Sequence, residues 1–465
     1  MDEIRYTPTD GLTYNPNEAK YWDKDALQKE VDRAFDLCNG CRMCFKFCQS
    51  FPTLFDAVDE LGDVRKLPAA KVEQVIDECF QCKQCYTQCP YTKAEGHEFA
   101  LDFPRLLMRA NAIRRRDRGV PMRERMLADP DRLGKVGTML PMLLNTANRV
   151  HAHRILMEKA LGIHRDKLLP DFASETFPNW VERELDGAVV TADGQHKVVL
   201  FATCFVNWNK PEIGQAAFRV LRHNECQVAA PGLGCCGMPA LDGGDVGLAR
   251  KQARQNVMAL LPWVGQGYAI AVINPTCSLM LKTEYPELLD DPAEPAIADG
   301  ARHVAAATRD LGEYLFERRQ AGQFKEDFQS TPAGPVAYHA PCHLRMQNVG
   351  FRGRDLMRRI PNVQPKLVAE CCGHDGTWAM KKEYFELSLK NGRRAFDGMH
   401  EAEAEVWATE CPLAAVQFKQ ATGREPMHPI EVLDRAYRAD GFATPVSSNG
   451  AEPLRQTQNN ETDQG

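Results

Sequence analysis

Cys38-Asn39-Gly40-Cys41-Arg42-Met43-Cys44-Phe45-Lys46-Phe47-Cys48 and Cys79-Phe80-Gln81-Cys82-Lys83-Gln84-Cys85-Tyr86-Thr87-Gln88-Cys89-Pro90 decide how the first part of the chain folds. Both runs space their cysteines C-x2-C-x2-C-x3-C, and the second ends in proline, which is the ligand spacing of paired 4Fe–4S clusters. A tight loop turns the first three thiolates of a run inward onto three iron corners. The fourth opens the next element and reaches the other cluster. Crossing of this kind assigns Cys38, Cys41, Cys44 and Cys89 to one cluster, and Cys79, Cys82, Cys85 and Cys48 to a second. Soft thiolates suit iron–sulfur cores, whereas a pair of structural zinc sites would join two CxxC knuckles at a longer interval. Gln49 stands where a proline would follow Cys48, and Pro52 comes three residues later; no ligand changes. Clusters held by crossed ligands lie close together, so the pair reads as an electron relay.

Outward from these runs, 465 residues suggest about three domains. A hydrophobic fraction of 44% and a charged fraction of 26% are those of a globular protein with real cores. The net charge of −6 offers no basic field for nucleic acid. Locally, Arg109, Arg114, Arg115, Arg116, Arg118, Arg123 and Arg125 crowd together, which reads as a solvated helix face ahead of a partner or lipid-headgroup contact. Met1 to Asp25 is polar and acidic, with no secretory signal. The most apolar long window, Val257 to Pro275, is broken by Pro262, Gly265, Gln266 and Gly267 into a helix end, a turn and a strand, so no transmembrane segment is expected. Seventeen cysteines without a signal peptide point to metal or redox ligation in a reducing cytosol. The expected location is cytoplasmic, with peripheral attachment at the inner face of a membrane left open.

The expected fold class is α+β. Residues 1–30 form a polar lead-in, and 31–100 a mostly helical two-cluster 4Fe–4S domain of ferredoxin type. Residues 101–194 form a helical connector, with apolar periodicity through Leu106 to Met108, Met139 to Leu144 and Ile155 to Leu161. Two cysteine-rich modules follow at 195–300 and 335–437, joined by 301–334, and 438–465 reads as a disordered tail. The modules are an internal repeat. Cys204 precedes Cys235-Cys236-Gly237 and Cys277; Cys342 precedes Cys371-Cys372-Gly373 and Cys411. An apolar run (Val198 to Phe205; Pro335 to Cys342), a CCG turn, an amphipathic helix (Asp245 to Leu261; Tyr384 to Met399) and a strand (Ala269 to Asn274; Glu405 to Thr409) recur in each. Strands alternating with helices predict a three-layer α/β unit made twice, about a pseudo-twofold axis.

Four thiolates per module can hold a further 4Fe–4S cluster, through Cys204, Cys235, Cys236 and Cys277 or through Cys342, Cys371, Cys372 and Cys411. The alternative is that they are packing residues of a degenerate module. His339 and His343 flank Cys342; each reads first as a satisfied buried histidine and second as a ligand or a hydrogen-bond partner of one. Cys226 lies outside the repeat and reads as a small buried hydrophobe. Gly237 and Gly373 suit a left-handed turn.

Gly234-Cys235-Cys236-Gly237-Met238-Pro239, Tyr338-His339-Ala340-Pro341-Cys342-His343, Glu370-Cys371-Cys372-Gly373-His374-Asp375 and Thr409-Glu410-Cys411-Pro412, in this order after the two ferredoxin-type runs, carry a resemblance. The chain resembles the family that holds the D subunit of heterodisulfide reductase, the C subunit of anaerobic glycerol-3-phosphate dehydrogenase and the iron–sulfur subunit of glycolate oxidase, over roughly residues 31–437. The resemblance implies CCG modules able to carry an unusual noncubane cluster, and five cysteines in a complete module. Here Met280 and Ala414 stand in the fifth position, which argues against disulfide chemistry.

The expected function is an iron–sulfur electron-transfer subunit of an oxidoreductase complex. It would relay electrons from a partner dehydrogenase, a flavoprotein, to a quinone or another redox protein. Gly232-Leu233-Gly234 belongs to the CCG turn and is not read as a fingerprint for a dinucleotide of its own. Two other readings stay open: a thiol or disulfide reductase acting at a CCG-bound cluster, and a redox sensor or scaffold.

Overall fold

The computed structural model describes residues 4–443; the tail expected to be disordered lies, from residue 444 on, outside the described residues. Helices and parallel strands are mixed, and the strands fall into two sheets. Among the described residues no helix is long and apolar enough to cross a membrane.

The first cysteine run begins on a helix. Asp23 accepts hydrogen bonds from the backbone N–H of Asp25 and Ala26 and so caps Lys24–Cys41, which buries Val31, Ala34, Phe35 and Leu37 at helical spacing. This face packs with Phe51, Leu54, Phe55, Phe103, Leu106 and Leu107 into one core. Inside it Arg33 pairs with Glu30 at 2.6 Å and donates to the carbonyls of Tyr6 and Phe99. The polar lead-in is thereby drawn onto the domain. Asn15 and Asn17 extend it further, donating to the carbonyls of Asp290 and Leu288.

The arginine-rich run is a solvated face only in part: Arg116, Arg118 and Arg125 are exposed, whereas other members turn inward. Arg109, fully buried in Phe103–Arg118, donates to the carbonyls of Gly11, Lys20 and Tyr21. Arg114 pairs with Asp77, Arg118 with Glu73 and Arg123 with Glu383, while Arg115 donates to the carbonyl of Gly243. Arg109, Arg114, Arg115 and Arg123 tie the connector to its neighbours because each meets a carboxylate or an open carbonyl.

In the first module, β1 (His196–Phe201), β2 (Cys226–Ala229), β3 (Ala269–Val272) and β4 (Thr308–Asp310) form a parallel sheet in the order β2-β1-β3-β4. Val198 pairs with Val228 on one side, and Val199 with Ile270 on the other. In the second, β5 (Val336–His339), β6 (Lys366–Val368) and β7 (Val406–Thr409) form a parallel sheet ordered β6-β5-β7. The first three strands of each module therefore share one order. The central strands β1, β3, β5 and β7 are largely apolar because both faces are covered, whereas the edge strand β6 exposes Lys366 and Leu367. Alternation along β1 sends Val198 and Leu200 to one core and Val199 and Phe201 to another. The first of these cores also takes Val336, Tyr338, Val406 and Ala408, so the two sheets share apolar filling between the modules.

Three expectations about local structure need correction. Cys204 and Cys342 do not end strands; they open the short helices Cys204–Trp208 and Cys342–Met346. Thr203 accepts from the Val206 N–H at the first, and Pro341 stands before the second. Cys277 likewise lies past its strand, on Pro275–Leu279, because Asn274 caps that helix. In the connector, Pro141–Arg149 buries no residue, so the apolar side chains of Met139 to Leu144 do not form the core their periodicity implied.

Candidate redox centres

Two hollows organise the first eight thiols. Cys38, Cys41, Cys44 and Cys89 line one, together with Phe51, Tyr91 and Leu101. Cys48, Cys79, Cys82 and Cys85 line the other, with Phe47, Phe51, Phe80 and Phe103. Phe51 walls both. Backbone strain sits where the loops wrap inward: Arg42, Gln81 and Lys83 all have positive φ, next to Cys41 and on either side of Cys82. Among the described residues no three His, Cys, Asp or Glu side chains are gathered as a site for a single metal ion. The thiols surround hollows, not points.

Burial pushes Cys44 up to about 12 and Cys48 to about 11, and raises Cys38, Cys82 and Cys85 well above the ordinary thiol range. Dry, crowded thiols of this kind do not ionise unaided, and a cationic iron core is what would neutralise four of them. The donor set and the apolar walls fit a 4Fe–4S cluster in each hollow.

The later cysteines gather as two more sets. In the first module the thiols of Cys204 and Cys236 both donate to the sulfur of Cys235, which lowers Cys235 well below the ordinary thiol range. Cys277 joins through Cys236. The CCG turn is held by side chains that spacing alone does not reveal. Asn256 donates to the carbonyl of Cys235 at 2.9 Å, Tyr285 donates to that of Cys236 at 2.9 Å, and Asp131 accepts from the Cys235 N–H. In the second module Cys342 is raised by burial and then by Cys371, Cys372 and Cys411, and Cys372 by burial and then by Cys371 and Cys411, as near neighbours do. The glycines turn as the repeat required: φ is 95° at Gly237 and 69° at Gly373, where a Cβ would collide with the Ser388 carbonyl. The N–H of Gly373 also points at the Cys371 sulfur, at 3.3 Å. Cys226 lies apart in β2, fully buried beside Tyr314.

His339 and His343 serve as braces. His339 places its two ring nitrogens against Thr409 Oγ1 and the Glu370 carbonyl. His343 Nε2 donates to the Gln81 carbonyl and Nδ1 accepts from Thr276 Oγ1, both at 2.9 Å. Burial depresses both rings to about 4, so they are neutral and have no nitrogen free for iron. Met280 and Ala414, in the fifth-cysteine positions, are buried packing residues.

The four sets stand in series. Cys82 is raised by burial and then by Cys371 and Cys342 as neighbours. Phe80, Cys82 and Trp378 form one apolar group with Cys48, Cys342 and Cys371 at its edge. Gln84 Nε2 donates to the Cys342 carbonyl at 2.9 Å. Onward, Cys411 is influenced by Cys277, and Pro275–Leu279 packs on Cys342–Met346.

Comparison with known proteins agrees with this layout. Residues 31–119 match the model of the citrate utilization protein B Fer4-like domain, and residues 198–282 and 336–419 each match the cysteine-rich domain. The C subunit of anaerobic glycerol-3-phosphate dehydrogenase from Escherichia coli K12 is 30% identical over 332 residues, covering 68% of this chain and 77% of that protein. The B subunit of fumarate reductase (CoM/CoB) from Methanothermobacter marburgensis is 26% identical over 387 residues, 78% of this chain and 72% of the relative. Lactate utilization protein A of Bacillus licheniformis is 31% identical over 192 residues, 40% of this chain and 75% of the relative. The chain belongs to the family of the anaerobic glycerol-3-phosphate dehydrogenase C subunit, the iron–sulfur electron-transfer subunits of oxidoreductase complexes.

Proposed function

Within that family, we propose that the chain is a four-centre electron wire. The first eight cysteines hold two 4Fe–4S clusters in crossed sets, and each CCG module holds one more through its four cysteines. A flavin-bearing dehydrogenase partner supplies the electrons, and a quinone at the inner face of a membrane takes them. When bound, the clusters supply one-electron carriage. The protein's own part is to space them, dry them and keep the CCG turns closed.

The continuity between ferredoxin-type hollow and second module carries this reading. Cys82 lies beside Cys342 and Cys371, with Gln84 and His343 fastening the loops across the gap. Exposed Met43 and Phe45, on the loop around the first hollow, support docking of the dehydrogenase at that end.

Stopped-flow reduction of the anaerobically purified chain, followed at several wavelengths, tests the wire. Wild type should pass electrons from its ferredoxin-type clusters to a later-reducing set. Cys411→Ser should lose that later phase and keep the first. Wild-type onward transfer in Cys411→Ser would remove the second module from the path.

A further inference from the structure

A second kind of site opens beside the far end of this series. A hollow of about 290 Å³ opens to the surface at the carboxyl ends of β1 and β2. Crevices at that edge of a parallel sheet are where ligands of α/β folds bind. Phe177, Val181, Leu200 and Leu233 give it apolar walls, and Asn207 and Glu182 are polar groups among its lining. Ala202 and Asn207 bracket Cys204 in sequence, while Leu233 comes two residues before Cys235. Asn207 sits one helical turn after Cys204 on Cys204–Trp208, so the two share a face.

Asn207 is only 7% exposed, yet among the described residues its side-chain amide has no hydrogen-bond partner. Neither amide atom is sealed from solvent, so the group can exchange water for a ligand in the hollow. The group it fits is a carbonyl oxygen, accepting from Nδ2. The only ionised lining residue is Glu182, at the exposed rim. A phosphate or carboxylate acceptor would need a cation there, and none lines the hollow.

We propose that this hollow binds the head ring of a quinone, placing it beside the segments that carry Cys204 and Cys235. The inference rests on the electron-wire reading and names where the wire ends. The ring would take two electrons, delivered singly from the iron–sulfur series that the dehydrogenase loads, and two protons from solvent at the open mouth. Both C=O groups become C–OH, and the quinol leaves.

The test uses the full chain, purified anaerobically with its clusters, and menadione as probe in equilibrium dialysis. A photoreactive azido-naphthoquinone, mapped by peptide mass, locates the site. Gly232 lines the hollow, and a Cβ added there meets nothing within 4 Å, so Gly232→Phe fills the space without a clash on the backbone. Menadione should bind wild type, bind Gly232→Phe at least tenfold more weakly, and bind Asn207→Leu several-fold more weakly, with iron content unchanged in each. The label should fall within residues 177–189 or 230–233. Equal binding by all three proteins, or label elsewhere, overturns this site while the quinone reading stands. No binding to wild type overturns the quinone reading and the site with it.

Discussion

The imidazole of His343 donates from Nε2 to the backbone carbonyl of Gln81 at 2.9 Å, across 262 residues of sequence. The same ring accepts from Thr276 at Nδ1. One neutral side chain of the second module thus fastens both the ferredoxin-type loop and the first module. His343→Leu removes both bonds and strands a buried carbonyl, at a cost of about 1–3 kcal/mol. The variant should keep its iron, melt at lower temperature, and show slower transfer from the ferredoxin-type clusters to the modules in stopped-flow traces.

Lys83 and Glu284 form a second fastening, paired at 2.8 Å with both side chains nearly free of solvent. Burial alone would raise Glu284, but Arg105 and Lys83 hold it down to about 2. Leaving Lys83 without its partner should therefore be expensive, roughly 3–5 kcal/mol for Glu284→Gln. Lys83→Met combined with Glu284→Gln should recover much of that loss, since no orphaned ammonium remains. Denaturation midpoints of the two single variants and the double variant give the coupling; strict additivity would show that the pair does not interact.

Acid should weaken the contact between modules through His428. Its Nε2 faces the Ile273 carbonyl, and burial depresses it to about 4. A base whose folded pKa lies below the unfolded value near 6.5 loses stability as pH falls. Here the loss begins near pH 6.5 and is complete near 4, worth up to roughly 3 kcal/mol. Melting temperature followed from pH 7 to 4.5 should fall less steeply in His428→Asn than in wild type, by about one proton's worth of slope. Identical slopes would mean the ring titrates normally.

Gly373 tests the CCG turn. Its φ of 69° and the Ser388 carbonyl beyond it leave no room for a side chain, whereas the nearest contact of a Cβ at Gly237 would be 3.3 Å. Gly373→Ala should lose the iron of the second module, about four atoms per chain, and keep the ferredoxin-type clusters. Gly237→Ala should be milder. Iron analysis with cluster absorbance distinguishes the two.

The ferredoxin-type runs and the duplicated CCG modules were legible because cysteine spacing is a covalent constraint that survives any packing. A duplicated α/β unit could be anticipated from alternating strands and helices, but the strand order and the helix starts at Cys204 and Cys342 could not. The helix starts depend on Thr203 and Pro341 resetting the backbone just after each strand. The arginine cluster was legible in part: Arg116, Arg118 and Arg125 are exposed, but charge periodicity does not say which guanidiniums will find buried carbonyls, as Arg109 does. Asn256, Tyr285 and Asp131, which hold the first CCG turn, come from distant segments and carry no local signal. Apolar periodicity in Pro141–Arg149 was real, yet that helix buries none of it.

Metal analysis of the anaerobically purified chain bears most directly on the central claim. Four clusters of four irons predict about sixteen iron atoms, with equal acid-labile sulfide, per chain. Colourless protein, or zinc in place of iron and sulfide at the first eight cysteines, would contradict it.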